Sequence, residues 1–284
     1  MIKYIYVIVI CSLSVSAYAA PDSTETKKQT LTLAAIYGSN ANYYGQTTDQ
    51  RLPYVLSNAT FSFPAGFYLS ASAYKLLNLG GSEISAADLA AGFDFNFTRR
   101  FTGGIGYTRS LYPENSPLLQ AANENTVSGS LGYDWNILST SVDADYAFGN
   151  QQDVFVTLSN SKLISLGSVF GDKGYFTVEP AIDVVGGTQH YLEEYIIRKN
   201  NRDKLIDLIN SPFTPPGLEK QTETTTVAKS SFDLLSYNLN LPIGYNRSNY
   251  LVEAGYQVSV PDKKVSDDWQ KPRSFFNVSF YYQF

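Results

Sequence analysis

Along most of this chain apolar and polar side chains alternate with a period of two. Leu89, Ala91, Phe93, Phe95 and Phe97 alternate with Asp88, Ala90, Gly92, Asp94 and Asn96. Val127, Gly129, Leu131, Tyr133 and Trp135 alternate with Thr126, Ser128, Ser130, Gly132, Asp134 and Asn136. The same pattern runs through Val142 to Phe148, Phe176 to Val184, Leu235 to Ile243, Tyr250 to Val258 and Phe276 to Phe284. Weaker repeats occupy 30–38, 54–63, 66–76, 101–111 and 153–162. Successive side chains of a strand point to opposite faces, so each segment predicts a strand with one apolar and one polar side. About twelve such strands of roughly ten residues predict an all-β chain folded as an antiparallel up-and-down transmembrane barrel, with ten or fourteen strands as the alternatives.

The segments between the strands alternate short and long. Short turns are predicted at 64–66, 98–100, 136–138 and 246–248, and long connections at 43–53, 78–86, 112–123, 189–230 and 261–272. Two joins break the rhythm: 149–152 is short where a long connection is due, and 163–173 is long where a turn is due. Pro180 and Pro242 fall inside predicted strands, where each removes a ladder hydrogen bond, and bulges are expected at both. No internal repeat or linker divides the chain.

The last strand carries a more specific signal. Phe276, Val278, Phe280, Tyr282 and Phe284 share one face, Asn277, Ser279 and Gln283 share the other, and Tyr281 is the one aromatic exception. This segment resembles the C-terminal assembly signal of bacterial outer-membrane β-barrel proteins. The resemblance implies partnership with the barrel-assembly machinery through this strand, and with outer-membrane lipid. It identifies no subfamily and therefore no substrate. At the other end, Lys3, the apolar run Tyr4 to Val15 and Ala17-Tyr18-Ala19 read as a secretory leader of a Gram-negative bacterium, cut after Ala19, so that 20–284 form a single barrel domain. The apolar run is shorter than the roughly 20 residues of a spanning helix.

Composition fits this reading. The hydrophobic fraction is 44% and mean hydropathy is −0.16, values of a soluble protein, because only alternate residues of a barrel face lipid. The 22 Tyr and 17 Phe suit membrane interfaces, where a ring is buried while a hydroxyl stays wet. Cys11, in the leader, is the sole cysteine, so disulfides and thiolate chemistry are excluded from the mature chain. Formal net charge is −5, and becomes −6 once Lys3 leaves with the leader, which argues against a nucleic-acid partner.

The charge is also one-sided. Asp88, Asp94, Asp134, Asp143, Asp145, Glu179, Asp183 and Glu253 all fall on the polar face, with almost no Lys or Arg beside them. Carboxylates are costly to bury dry, so the lumen is either wet or partnered by something basic. A candidate partner lies in 189–230, where Glu193 to Asn210 has the spacing of an amphipathic helix bearing Arg198, Lys199, Arg202 and Lys204, ended by Ser211-Pro212. Folded over the mouth, it would act as a gate.

Catalysis has little to stand on. His190 is the one histidine, no serine lies two residues away, and Glu193 and Glu194 are its near acidic neighbours. With one His and no mature Cys, no transition-metal site is expected. Asp143 and Asp145 offer weak ligation for Ca²⁺ or Mg²⁺, and no cofactor is expected. The expected function is passive diffusion of small polar, cationic solutes through an acidic hydrated lumen. The alternatives are a closed barrel that binds a partner through its outer loops, and a hydrolase with a rim site.

Overall fold

The computed structural model describes residues 28–48, 50–78, 84–113, 116–168, 174–191, 231–262 and 271–284. The predicted leader and the amphipathic segment bearing Arg198, Lys199, Arg202 and Lys204 lie outside them. The described strands form a closed antiparallel barrel of twelve. They are β1 (Thr30–Gly38), β2 (Tyr54–Ser62), β3 (Phe67–Leu76), β4 (Ala86–Asn96), β5 (Phe101–Leu111), β6 (Asn125–Asp134), β7 (Ser139–Phe148), β8 (Gln152–Ser161, resuming as Ile164–Ser168), β9 (Gly174–Val178, resuming as Ala181–Gly187), β10 (Asp233–Arg247), β11 (Tyr250–Pro261) and β12 (Arg273–Gln283). Each pairs with its sequence neighbours, and β1 closes the ring on β12 from Thr32↔Gln283 to Gly38↔Asn277. Closure removes the unpaired edges that an open sheet would expose.

Both irregular joins have a physical explanation. β8 and β9 stay paired beyond Ser161↔Ala181, so Ile164–Ser168 and Gly174–Val178 form a hairpin that extends past the ends of β6 and β7. The first part of the expected turn, Ile164–Ser168, is thus strand. The join at 149–151 is a tight turn, fixed by Gly149 N donating to Gln151 O at 2.9 Å. The turns at 63–66, 97–100, 135–138 and 248–249, the β8–β9 hairpin, the start of β1 and the end of β12 lie at one end, the short-turn end; β1 joins β2, β5 joins β6 and β7 joins β8 at the other, the long-connection end, the last pair through the tight 149–151 turn.

The proline expectation needs correction. Pro180 does interrupt β9, but Pro242 pairs with Gly255 in unbroken register, with no bulge. Each proline still accepts through its carbonyl, from Lys162 N at 3.1 Å for Pro180 and from Glu179 N at 3.2 Å for Pro242. Only the donor half of each pair is lost. The register shifts fall elsewhere. One lies between Phe176 and Thr177, opposite Gly167 at φ 93°, and one between Val185 and Gly186, opposite Leu235. The second reverses Leu235, which the alternation places outward with Tyr237 and Leu239; it is fully buried inside instead.

Outside, Leu33, Leu69, Leu89, Ile105, Leu131, Leu158, Leu239 and Val278 are exposed as a lipid-facing wall would be. Aromatic side chains touch one another around the short-turn rim, including Phe95 with Phe97, Phe97 with Phe101, Tyr133 with Trp135, and Tyr282 with Phe284. Tyr37, Tyr107, Tyr146, Tyr237 and Tyr256 stand nearer the other rim, giving the two aromatic girdles of a membrane barrel.

Candidate functional site

The interior divides into two halves. At the long-connection end it is filled. The connection 39–53 turns inward and crosses the lumen as a hairpin. Tyr43 and Gln46 exchange backbone hydrogen bonds of 2.8 and 3.0 Å, with Tyr44 at φ 53° and Gly45 at φ 83° between them. Positive φ at both central residues makes this a type I′ turn, and Gly45 suits it. Gly45 is also needed for space, since a Cβ there would stand 2.1 Å from Ser236 Oγ.

The tip is held by the far walls. Tyr44 donates its hydroxyl to Asp145 on β7 at 3.0 Å. Ser236 on β10 donates to Tyr44 O at 3.0 Å, and Ser259 on β11 donates to Gly45 O at 2.6 Å. Tyr191 donates to Gln46 Oε1 at 2.6 Å. The Tyr44 ring stacks on Phe155 of β8 with centroids 3.7 Å apart, and Tyr43 meets Phe155 and Tyr191 edge-on. Two apolar clusters flank this crossing. One joins Ile36, Leu52, Leu56, Leu76 and Tyr281 to Leu118 and Ala121; the other joins Tyr43 and Tyr44 to Leu119, Phe155, Val185 and Leu235. Leu118 to Ala122, from the β5–β6 connection and its 3₁₀ turn, is therefore part of the same plug.

Asp153 is the polar centre of the plug, and sequence reasoning passed over it. Its side chain is fully buried. Oδ1 accepts from Thr188 Oγ1 at 2.7 Å and His190 N at 2.8 Å; Oδ2 accepts from Asn123 Nδ2 at 2.8 Å and Tyr191 N at 3.0 Å. His190 Nδ1 lies 3.2 Å from the same carboxylate, so the residue facing His190 is Asp153. Burial, and then the Asp153 charge, push the phenols of Tyr43 and Tyr191 well above their ordinary value. A signal was available in the sequence: Asp153 opens the inward set of β8 and is the first residue of the repeat expected at 153–162.

The other half is lined with polar groups and reached from the short-turn end. Asp94, Asp134, Asp143, Glu179 and Glu253 are partly accessible there, with Ser128, Ser130 and Asn240. Asp183 is buried in the wall and accepts from Ser159 at 2.7 Å and Asn240 at 2.6 Å. Glu179 accepts from Ser161 at 2.9 Å, and Asp134 accepts from Asn136 N in the turn at 2.8 Å. Asp94 lies over Gly104, where a Cβ would stand 2.9 Å from its Oδ1. All eight carboxylates expected on the inner face are on it. Asp88 and Asp145 belong to the filled half, Asp88 between Ser72 and Ser110 in the ladder and Asp145 under Tyr44. Among the described strand residues, Arg273 at the plugged end is the one basic side chain with inward parity. Asp143 and Asp145 gain no third ligand among the described residues, where no group of three or more His, Cys, Asp or Glu is placed to hold a metal.

No protein-family model matches the chain. No curated protein matches it either. Solved structures do. The KdgM porin is 9% identical, with a TM-score of 0.50, covering 89% of this chain and 99% of that one. An outer membrane channel from Pseudomonas putida F1 is 8% identical, with a TM-score of 0.46 over 93% of this chain and 100% of that one. LpxR from Salmonella typhimurium is 11% identical, with a TM-score of 0.47 over 89% and 99%. At such identities the likeness is one of fold: this chain folds as a closed twelve-strand antiparallel barrel similar to that of the KdgM porin.

Proposed function

We propose that the protein is an outer-membrane channel for small polar solutes that favours cations and is kept narrow by its own 39–53 connection. The observation that supports this most is the lining of the accessible half-lumen, where carboxylates stand with no inward basic side chain among the described strands below Arg273. Charged linings select by sign through the electrostatic barrier they set. With the leader removed, Phe276, Val278, Phe280, Tyr282 and Phe284 present the lipid-facing assembly strand, and the long connections face outward from the cell. Reversal potentials of the purified barrel in planar bilayers under a KCl gradient test the selectivity. A cation-selective potential is expected, and an anion-selective one would overturn the reading.

A second reading is favoured by the plug itself. Two apolar clusters inside a barrel are what a closed, partner-binding barrel needs. Silence in bilayers both before and after removal of the plug residues 41–48 would establish that reading in place of the first. The rim-hydrolase reading is weaker, because Asp153 is occupied in holding backbone N–H groups together. Hydrolysis of phospholipid that vanishes in His190→Ala would revive it.

A further inference from the structure

We propose that the inner wall from β7 to β11 is a binding site for a tyrosyl-glycyl peptide. Tyr44 and Gly45 of the 39–53 hairpin occupy it as a tethered ligand, and a free peptide of this kind displaces them. The binding stands without conduction; only the opening that displacement causes rests on the channel reading above.

The ladder assembles the site. Asp145 on β7 is paired with Phe155 on β8, and Phe155 with Gly187 on β9. Val185, two residues from Gly187 on the same face, is paired with Ser236 on β10. Ser259 lies two residues from Pro261, the partner of Ser236 on β11. These five consecutive strands form one concave arc, and β1 and β2, which carry the hairpin, are not among them. The wall groups therefore stay in place when the tip leaves. Gly187 shapes the floor: a Cβ there would stand 2.6 Å from the Phe155 ring, so its absence lets the ring lie over β9.

The occupant's chemistry is set by what the wall offers. The Phe155 face takes a ring at 3.7 Å, with the two planes 11° apart. Asp145 Oδ2 accepts a phenol proton at 3.0 Å. Two hydroxyls donate to consecutive backbone carbonyls, Ser236 at 3.0 Å and Ser259 at 2.6 Å. Both Oγ atoms also stand where a side chain at 45 would go, 2.1 and 2.7 Å from its Cβ position, so the residue after the tyrosine must be glycine. Phe155, Ser236 and Ser259 are fully buried and Asp145 nearly so. When the tip leaves, these polar groups lose the partners it supplies, which is costly in an apolar surrounding. Closure by apolar packing alone would need none of them. A peptide with the same ring, hydroxyl and carbonyls restores each one. The tether opposes it, because a short connection holds the tip at an effective concentration on the order of millimolar.

The test is calorimetric titration of the folded full-length barrel in detergent, as the parent and as Tyr44→Ala. The probes are N-acetyl-tyrosyl-glycinamide, N-acetyl-phenylalanyl-glycinamide and N-acetyl-tyrosyl-alaninamide. Tyr44→Ala vacates the ring and hydroxyl positions, and should bind the tyrosyl-glycinamide at one site at least about tenfold more tightly than the parent, which must first expel its own tip. The phenylalanyl peptide should bind about tenfold more weakly, the scale of a lost hydrogen bond to a charged group. The alaninamide should not bind. Asp145→Asn, added to Tyr44→Ala, should cut the advantage of the tyrosyl over the phenylalanyl peptide severalfold. Should that variant fail to reach the heat-modifiable folded form, Ser259→Ala tests the same site and should weaken both glycinamides alike. Equal affinity for the tyrosyl and phenylalanyl peptides, saturable binding of the alaninamide, or binding to Tyr44→Ala no tighter than to the parent would each overturn the proposal. Saturable binding with no current in bilayers would defeat the channel reading alone; conductance without saturable peptide binding would defeat this site alone.

Discussion

Removing Phe155 should release the plug without unfolding the barrel. Phe155 is fully buried, stacks on Tyr44 at 3.7 Å, and meets Tyr43 and Tyr191 at 5.4 and 5.9 Å. Its backbone stays in the β8 ladder, paired with Asp145 and Gly187, whatever its side chain is. Because the ring remains on the wall when the 39–53 hairpin leaves, only the burial supplied by the hairpin and by Tyr191 counts toward closure. For an aromatic ring covered on that side, with its ring pairs, this is about 2–3 kcal/mol. At about 1.4 kcal/mol per tenfold, Phe155→Ala should raise the ratio of open to closed plug roughly thirty- to a hundredfold. The assay is open probability in planar bilayers, with heat-modifiable electrophoretic mobility to establish that the barrel is folded. A folded Phe155→Ala barrel whose open probability equals that of the parent would refute the claim that this cluster closes the lumen.

Asp153→Asn replaces an acceptor-only carboxylate with an amide that has one acceptor oxygen, so at least two of its buried donors lose their partner. The expected loss is on the order of 2–4 kcal/mol, read as a lower temperature for the loss of heat-modifiable mobility. Gly45→Ala places a Cβ at φ 83° and 2.1 Å from Ser236 Oγ, and should raise open probability as Phe155→Ala does. Tyr43 and Tyr191 are held neutral by burial, so each raised phenol contributes closure fully below its ordinary value of 10.0 and loses it as pH rises toward the folded value. Conductance should therefore be flat up to about pH 10 and increase above it, an effect absent in the Tyr43→Phe, Tyr191→Phe double variant. Deleting Phe284 should lower the amount of folded barrel in the outer membrane several-fold with no change in the conductance of the barrels that do assemble.

How much of this was legible follows from which forces act locally. Strand placement depends on lipid outside and polar groups inside, and both write a period of two into the chain, so all twelve strands and the inward parity of the eight carboxylates could be read from alternation alone. Leu235 could not, because a register shift opposite Val185 and Gly186 reverses its face, and a shift is a property of two strands. The plug was not legible for a related reason. Its contacts join Tyr44 to Asp145, Gln46 to Tyr191 and Gly45 to Ser259, residues far apart along the chain. What the sequence did display was an anomaly, Tyr43-Tyr44-Gly45 between Asn42 and Gln46: two large rings in an otherwise polar connection. Rings in an exposed loop have no reason to be there, and here they are buried. Asp153 was not legible because β8 alternates weakly, so its inward face does not stand out as those of β4, β6 and β7 do.

Barrel size makes the plug necessary for any closed or narrow state. Eight strands leave an interior that side chains alone fill, whereas sixteen or more leave an aqueous channel. Twelve strands lie between these cases, and inward Ser, Thr, Asn and Gly are too small to meet at the axis. A lumen of this width is open by default and closes only where chain is brought in from the rim. That is why the described interior is of two kinds: an apolar, aromatic core where the 39–53 hairpin and the 118–122 turn enter, and a carboxylate-lined half with partly accessible side chains where they do not reach. The carboxylates at the boundary show the same division. Asp145 meets the hairpin and accepts a phenol, whereas Glu179, beyond its reach, accepts from Ser161 of the neighbouring strand. On the proposed channel reading, selectivity and closure fall to different residues, so substitutions in the Phe155 cluster should change open probability at constant ion preference, and substitutions at Glu179 and Glu253 should do the reverse.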